Sequence, residues 1–123
     1  LRPQQSLTRD EINALKQFSS EGGRIVVQGE WLNSFTQAGI NAENALLTSL
    51  GSQLQNLATN VMTTSGGSYA TAVAAHQVTT GFTQLWFNAS STVSPGPNDF
   101  ILVHALTGEA IVGVTKVDPT PLP

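Results

Sequence analysis

The first apolar pattern in the chain has the spacing of a helix. Ile12, Leu15 and Phe18 lie on one helix face. Just before them, the run Thr8–Glu11 matches a capping box, in which a Thr hydroxyl and a Glu carboxylate satisfy each other's free backbone donors. These signals predict a helix over residues 9–20.

A short β-branched run follows this helix. Gly22 can end the helix in the left-handed conformation, and Gly23 comes next. Three β-branched residues in the run Ile25–Val27 are typical of a strand buried on both faces of a parallel sheet, and Gly29 permits a sharp turn after it. The sequence therefore predicts a helix–Gly–Gly–strand unit from Leu7 to Glu30.

The middle of the chain is less regular. Asn41 is a candidate N-cap for a second helix over residues 42–50, which Gly51 would end. Apolar residues from Leu54 to Val61 fit a loose helical stripe, whereas residues 59–64 also fit a strand, and both readings remain open.

Antiparallel structure is expected in the last third. Gly108 lies in a short connection between two apolar runs, a pattern that predicts a hairpin. The predicted segments are a turn or loop at 65–68, a weak strand at 69–75, a strand at 82–88, a loop at 90–99, and hairpin strands at 100–104 and 110–114.

These segments divide the chain into a tail at residues 1–6, a single α/β domain at 7–117, and a Pro-rich tail or linker at 118–123. A helix–strand–helix start needs a further parallel strand to continue its sheet. We expect that strand to precede Leu1 or to be donated by a partner.

Composition narrows the function classes. Charged residues make up only 11% of the chain, against roughly 25% in typical soluble domains. Such a surface is common in secreted bacterial proteins, and it suits a chain that lies against neighbours because few charges need desolvation. The net charge of −3 without a basic patch argues against nucleic-acid binding, and no apolar run reaches the ~20 residues of a membrane span.

The absence of cysteine removes disulfides, thiolate metal sites and cysteine nucleophiles. Gly66-Gly67 lacks the following Lys-Ser/Thr of a phosphate loop. Two distant histidines do not make a metal site, which usually needs three or four ligands. We expect no cofactor and no metal.

Three stretches resemble one family. Residues 7–27 resemble the Leu-Thr…Gly-Gly…Val-Val pattern of class I glutamine-amidotransferase-like domains. Residues 75–82 resemble its His-Pro-Leu-Thr-x-Gly-Val segment, with Gln77 in place of Pro, and residues 107–114 look like its later hairpin. The resemblance implies a flavodoxin-like three-layer sandwich, here incomplete because the family's preceding strand and helix are absent, with a C-terminal antiparallel hairpin.

The resemblance also directs attention to the turn after the predicted strand. Active amidotransferases carry their nucleophilic cysteine in the turn that matches residues 28–31, and this chain has none there. Glu30 is a candidate for a general base, and the alternative is that it bonds nearby backbone donors or is solvated. His76 is a second candidate, with a structural role as its alternative, and His104 is expected to be a surface or cross-strand residue.

Two other constellations supply suitable residue types without a motif. Ser34, His76 and Asp99 could form a serine triad only if the fold brought them together. Aromatic residues could form a carbohydrate platform, although core packing is their commoner use. These aromatic residues are Trp31, Phe35, Trp86 and Phe87.

The sequence therefore favours a non-catalytic structural or interaction domain of a secreted or cell-surface bacterial protein. Its partner would be a second copy of itself or another protein chain, joined by strand addition. A hydrolase-like domain using Glu30 and His76, and a glycan-binding module, remain as alternatives.

Overall fold

The computed structural model describes residues 1–63 and 66–117, so the predicted tail at 118–123 and two residues of the loop near 65 lie outside it. The described chain forms two helices, seven strands and a 3₁₀ turn at Gln77–Thr79. The elements are α1 Arg9–Ser20, α2 Leu32–Ser49, β1 Gln55–Met62, β2 Ser68–Ala70, β3 Ala72–Val73, β4 Leu85–Phe87, β5 Ala89–Ser94, β6 Asp99–His104 and β7 Ala110–Thr115.

Helix α1 has the predicted bounds and caps. Thr8 Oγ1 accepts a hydrogen bond from the Glu11 backbone N–H at 3.3 Å, and the Thr8 N–H donates to Glu11 Oε2 at 2.7 Å. These bonds from Thr8 hold the pKa of Glu11 below its usual value. Gly22 follows with φ +91°. No residue of α1 is buried, and Phe18 remains 50% exposed, so the apolar stripe finds only partial cover.

The segment Arg24–Glu30, which we name the edge segment, corrects one prediction. It belongs to none of the sheets formed by the described residues. Its side chains alternate between exposed and half-buried up to Gly29, and Val26 is 75% exposed. The expectation of a strand buried on both faces is therefore wrong, because only one face of this segment has neighbours.

Helix α2 begins earlier than predicted. It starts at Leu32 and kinks at Thr36, whose φ of 63° and ψ of 160° interrupt the helix. Thr36 Oγ1 accepts from the Gly39 N–H at 3.3 Å and so caps the longer second part. The prediction of Asn41 as N-cap is wrong, because Asn41 lies inside the helix and its Oδ1 accepts from Gln37 Nε2 at 3.0 Å. Helix α2 ends before Gly51, as predicted.

Strands β1 and β5 form an antiparallel pair from Gln55↔Ser94 to Met62↔Ala89. The strand reading of this part of the middle region is therefore the correct one. The prediction of a loop over residues 90–99 is wrong for most of its length, because polar β5 residues are buried by pairing with β1. A bulge in β1 includes Ala58 at φ 58°.

The predicted C-terminal hairpin is confirmed as β6 and β7, with Gly108 at φ +100° in the turn. Strand β3 adds to β6, while β2 pairs separately with β4. Strand β4 is shorter than the predicted 82–88 strand. The core residues around this region are Val61, Ala70, Leu102, Val103, Ala105 and Ile111.

The structure thus combines helices with antiparallel strands, which confirms a mixed α and β composition. Every strand pairing assigned among the described residues is antiparallel. A flavodoxin-like sandwich rests on a parallel sheet, so that finer prediction is not confirmed. Neither described helix has the length and apolar character needed to cross a membrane.

Candidate functional site

An open groove of about 530 Å³ lies between the edge segment, the start of α2 and strands β1, β4 and β5. We name it the tryptophan groove, because both tryptophans of the chain line it. Its apolar lining comes from Trp31, Trp86, Phe87, Met62 and Ala89. Its polar lining comes from Gln28, Glu30, Ser34 and Asn88.

Trp31 is positioned by the first turn of α2. It is the N-cap residue, and its backbone carbonyl accepts from the Ser34 N–H at 3.0 Å. The indole Nε1–H donates to Ser34 Oγ. This bond between two neighbouring side chains restricts the orientation of the indole. An indole without a hydrogen-bond partner would not be restricted in this way.

Trp86 is positioned by strand pairing and by a glycine. It lies in β4 opposite Tyr69 of β2, and both side chains are at least half exposed. A Cβ at Gly67 would lie only 2.2 Å from Trp86 Cζ2, so the indole packs directly against the Gly67 backbone. The Trp86 side chain is therefore supported by Gly67, while the residue stays 55% exposed.

Glu30 is tied to the N-terminal residues. Its Oε2 lies 2.9 Å from Arg2 Nη2, and the Arg2 guanidinium also lies 5.7 Å from the centroid of the Phe35 ring. Phe35 is only 1% exposed, so it packs in the core and does not contribute a binding platform. Pro3, the residue after Arg2, is buried. The predicted tail therefore packs in part against the domain.

His76 has a local role at the 3₁₀ turn. Its Nδ1 accepts from the Val78 N–H at 3.1 Å, and Thr79 Oγ1 accepts from the His76 N–H at 3.0 Å. The imidazole stacks on Phe100 with 5.4 Å between ring centroids. His76 does not line the tryptophan groove, and no hydrogen bond or ion pair of the described residues joins it to Glu30.

The serine-triad residues are also occupied separately. Ser34 accepts from Trp31, whereas Asp99 accepts from the Gly96 N–H at 2.7 Å and from Thr115 Oγ1. These bonds hold a helix start and the β5–β6 connection. Within residues 1–63 and 66–117, no group of three His, Asp or Glu side chains is placed to hold a metal ion.

Sequence reasoning missed a buried carboxylate. Glu43 is 5% exposed, and its Oε2 accepts from Asn56 Nδ2 at 2.8 Å. Burial raises the pKa of Glu43 and outweighs the opposing effect of the Asn56 bond. A single Glu in a helix carries no periodic signal, so only its contact with β1 distinguishes it from a solvated residue.

Comparison with protein-family models, with curated proteins and with solved structures finds no match to this chain.

Proposed function

We propose that the chain is a non-catalytic interaction domain of a secreted bacterial protein, and that an added strand lying along the edge segment completes it. The observation that carries this proposal is a bridge between Leu1 and Val27. The Leu1 ammonium donates to the Val26 carbonyl at 2.6 Å, and the Gln28 N–H donates to the Leu1 carbonyl at 2.7 Å.

This pair of bonds has the pattern of a parallel ladder. One residue bonds to the two neighbours of the residue opposite it, whereas antiparallel partners bond to each other. Leu1 therefore occupies the position of one rung opposite Val27. A strand running parallel to the edge segment and meeting it at this rung would pass alongside Arg24 and Val26.

Helix α1 supports the same arrangement. It connects Leu1 to the edge segment, as a crossover helix connects two parallel strands. None of its residues is buried, and exposed apolar side chains lie both within the helix and on either side of it in the chain. Those side chains are Leu1, Phe18 and Val26. An added strand would give this helix a surface to cover, and the completed unit would then approach a flavodoxin-like arrangement.

The low charge of the chain favours such contacts, since few ionic groups would lose water on association. An extended segment of β-branched residues with unpaired backbone N–H and C=O groups is itself a template for strand addition. The hydrolase alternative has no comparable support, because Glu30 pairs with Arg2 while His76 caps the 3₁₀ turn.

Light scattering after size-exclusion chromatography tests self-association. We expect the apparent mass to rise above that of one chain as concentration increases. Val26→Pro should abolish this rise, because it removes an N–H on the edge that Leu1 marks. Val27→Pro is the matched control, because its N–H faces the opposite edge. A monomer at every concentration would exclude the self-associating form of the proposal.

A chain extension tests strand addition directly. Five β-branched residues fused before Leu1 should stabilise the domain and protect the backbone amides of Arg24 and Val26 from hydrogen exchange. An extension of equal length that alternates proline with threonine is the control. Equal stability and equal protection of the two extended chains would contradict parallel strand addition at this edge.

A further inference from the structure

We infer that the tryptophan groove is a binding site for a neutral carbohydrate. This inference concerns side chains rather than the backbone edge, and so it goes beyond the proposed role in strand addition. It starts from the fact that both tryptophans of the chain, which are distant in sequence, line one groove together with uncharged polar groups.

The two indoles can act as stacking platforms. Gly67 supports Trp86 and Ser34 restrains Trp31, so neither ring needs much further ordering when a ligand binds. The face of an aromatic ring carries negative charge density. It therefore attracts the polarised C–H groups on the flat side of a sugar ring. A solvated indole makes few favourable contacts that it would have to give up when a sugar ring stacks on it.

The polar lining can bind hydroxyl groups. Within the described residues, the Gln28 side chain has no hydrogen-bond partner, and Asn88 uses its side-chain oxygen on Thr63 Oγ1 at 3.3 Å. The Asn88 side-chain NH₂ group can therefore donate to a ligand. The Gln28 side chain can offer both its NH₂ donors and its oxygen acceptor. Ser34 accepts from Trp31 and retains its own hydroxyl proton for donation. Neighbouring sugar hydroxyls need this mixture of donors and acceptors.

Charge argues for an uncharged ligand. Among the described residues that line the groove, Glu30 alone has an ionisable side chain, and Arg2 neutralises it at 2.9 Å. The lining thus offers no free cation to a phosphate or carboxylate, which disfavours nucleotides and acidic glycans. The volume of about 530 Å³ falls within the roughly 300–1,000 Å³ of small-ligand sites.

The mixed lining also favours a sugar over an apolar peptide. A buried apolar anchor would desolvate Gln28, Asn88 and Glu30 without offering them hydrogen bonds, and unpaired polar groups are costly. A carbohydrate presents hydroxyls to these groups and a C–H face to the indoles at the same time.

Intrinsic fluorescence supplies the test, since every tryptophan signal originates in this groove. The full chain is titrated with four neutral trisaccharides, namely maltotriose, cellotriose, mannotriose and chitotriose, and calorimetry measures the same binding. At least one trisaccharide should shift the emission and bind saturably. A capped apolar tetrapeptide and a trigalacturonate serve as competing ligand classes.

Trp86→Ala should weaken trisaccharide binding by about tenfold or more, as truncating a central aromatic contact commonly does. Gln28→Ala changes an exposed residue and keeps both tryptophans, so it tests the site even if Trp86→Ala folds poorly. It should weaken trisaccharide binding several-fold. Phe82→Ala is the matched control: an exposed aromatic residue outside the groove is changed, and the affinity should stay as in the wild type.

The inference is overturned if none of the four trisaccharides binds, if only the peptide or the acidic glycan binds, or if Trp86→Ala and Gln28→Ala leave the trisaccharide affinity unchanged. None of these results would alter strand addition at the edge segment, because the extension experiment uses no ligand.

Discussion

Glu43 on α2 accepts a hydrogen bond from Asn56 Nδ2 on β1 at 2.8 Å, and both residues are buried. Asn44, the next residue of α2, bonds the backbone of Asn56 twice: its Oδ1 accepts from the Asn56 N–H at 2.7 Å, and its Nδ2 donates to the Asn56 carbonyl at 3.0 Å. These bonds fix α2 against β1 through polar groups, and the Glu43 carboxyl is the one of them that can change its charge.

Glu43 should make stability depend on pH. Burial raises the pKa of Glu43 above its usual 4.5, so the folded chain holds this proton more tightly than the unfolded chain. The contribution of Glu43 to the free energy of unfolding is therefore largest at low pH and falls as pH rises from about 4.5 through the raised pKa. Glu43→Gln cannot ionise, and it should gain stability relative to wild type over this window in urea titrations.

Glu109 offers a control of opposite sign. A hydrogen bond from Thr107 lowers the pKa of Glu109, so its contribution is present at neutral pH and is lost as pH falls through the lowered pKa. Glu109→Gln should therefore lose stability relative to wild type at neutral pH. For Glu43, the same dependence of the unfolding free energy on pH in wild type and in Glu43→Gln would contradict a raised pKa of this carboxyl group.

Gly29→Ala should destabilise the chain by roughly 1–3 kcal/mol. A Cβ at this position would lie 2.7 Å from both carboxylate oxygens of Glu43 and 2.9 Å from Asn56 Nδ2. Relief would require the carboxylate to leave its hydrogen bond. Chemical denaturation of Gly29→Ala, Glu43→Ala and the double variant measures the coupling.

In that cycle, Gly29→Ala should cost less when Glu43→Ala has already removed the carboxylate. Strictly additive free energies would show that the added methyl group does not meet Glu43.

Thr8→Ala should lower the stability of α1 against local unfolding by about 1 kcal/mol, since it removes the acceptor of the Glu11 N–H. No residue of α1 is buried, so its end interactions matter more than in a well-packed helix. Amide exchange across residues 9–20 is the measurement. Thr8→Ser keeps a hydroxyl and should exchange as slowly as wild type; equally fast exchange in both variants would argue against the capping role.

Asp99→Ala should cost roughly 1–3 kcal/mol of stability, because it leaves the Gly96 N–H without its acceptor and breaks the bond from the Thr115 hydroxyl, which keeps only Ser52 Oγ as a partner at 2.6 Å. Asp99→Asn retains one carbonyl oxygen and should cost less. Thermal unfolding compares the two variants. Equal stability of Asp99→Ala and wild type would remove the structural role, and the residue would again be open to a chemical one.

Local signals in the sequence were the most reliable. The Thr8–Glu11 capping box and Gly108 in the hairpin turn each involve residues a few positions apart, so the sequence contains the whole interaction. Helix α1 and the β6–β7 hairpin could therefore be predicted with nearly correct bounds.

Signals that depend on distant partners were not sufficient. The run Ile25–Val27 has strand-forming residues, yet the described chain supplies only Leu1 as a ladder partner. Conversely, β5 has a polar Ser-Ser-Thr sequence typical of a loop, and pairing with β1 makes it a strand. In both places the neighbour decides the outcome.

The candidate groove was predictable only in its parts. The sequence offered Trp31, Trp86 and Phe87 as platform residues, but nothing in their spacing showed that they would meet. Phe35, offered with them, lies in the core. Gly67 was expected only as part of a turn, because nothing in the sequence shows that it leaves space for a ring nineteen positions later.

The order in which the sheets form follows from how far apart their strands lie in sequence. Strands β6 and β7 are joined by a short turn and can pair early, whereas β1 and β5 must close a loop that contains β2 and β4. The tryptophan groove takes residues from both β1 and β5. It therefore assembles only with this pairing, and the emission of the two indoles should follow the β1–β5 pairing rather than the earlier β6–β7 hairpin.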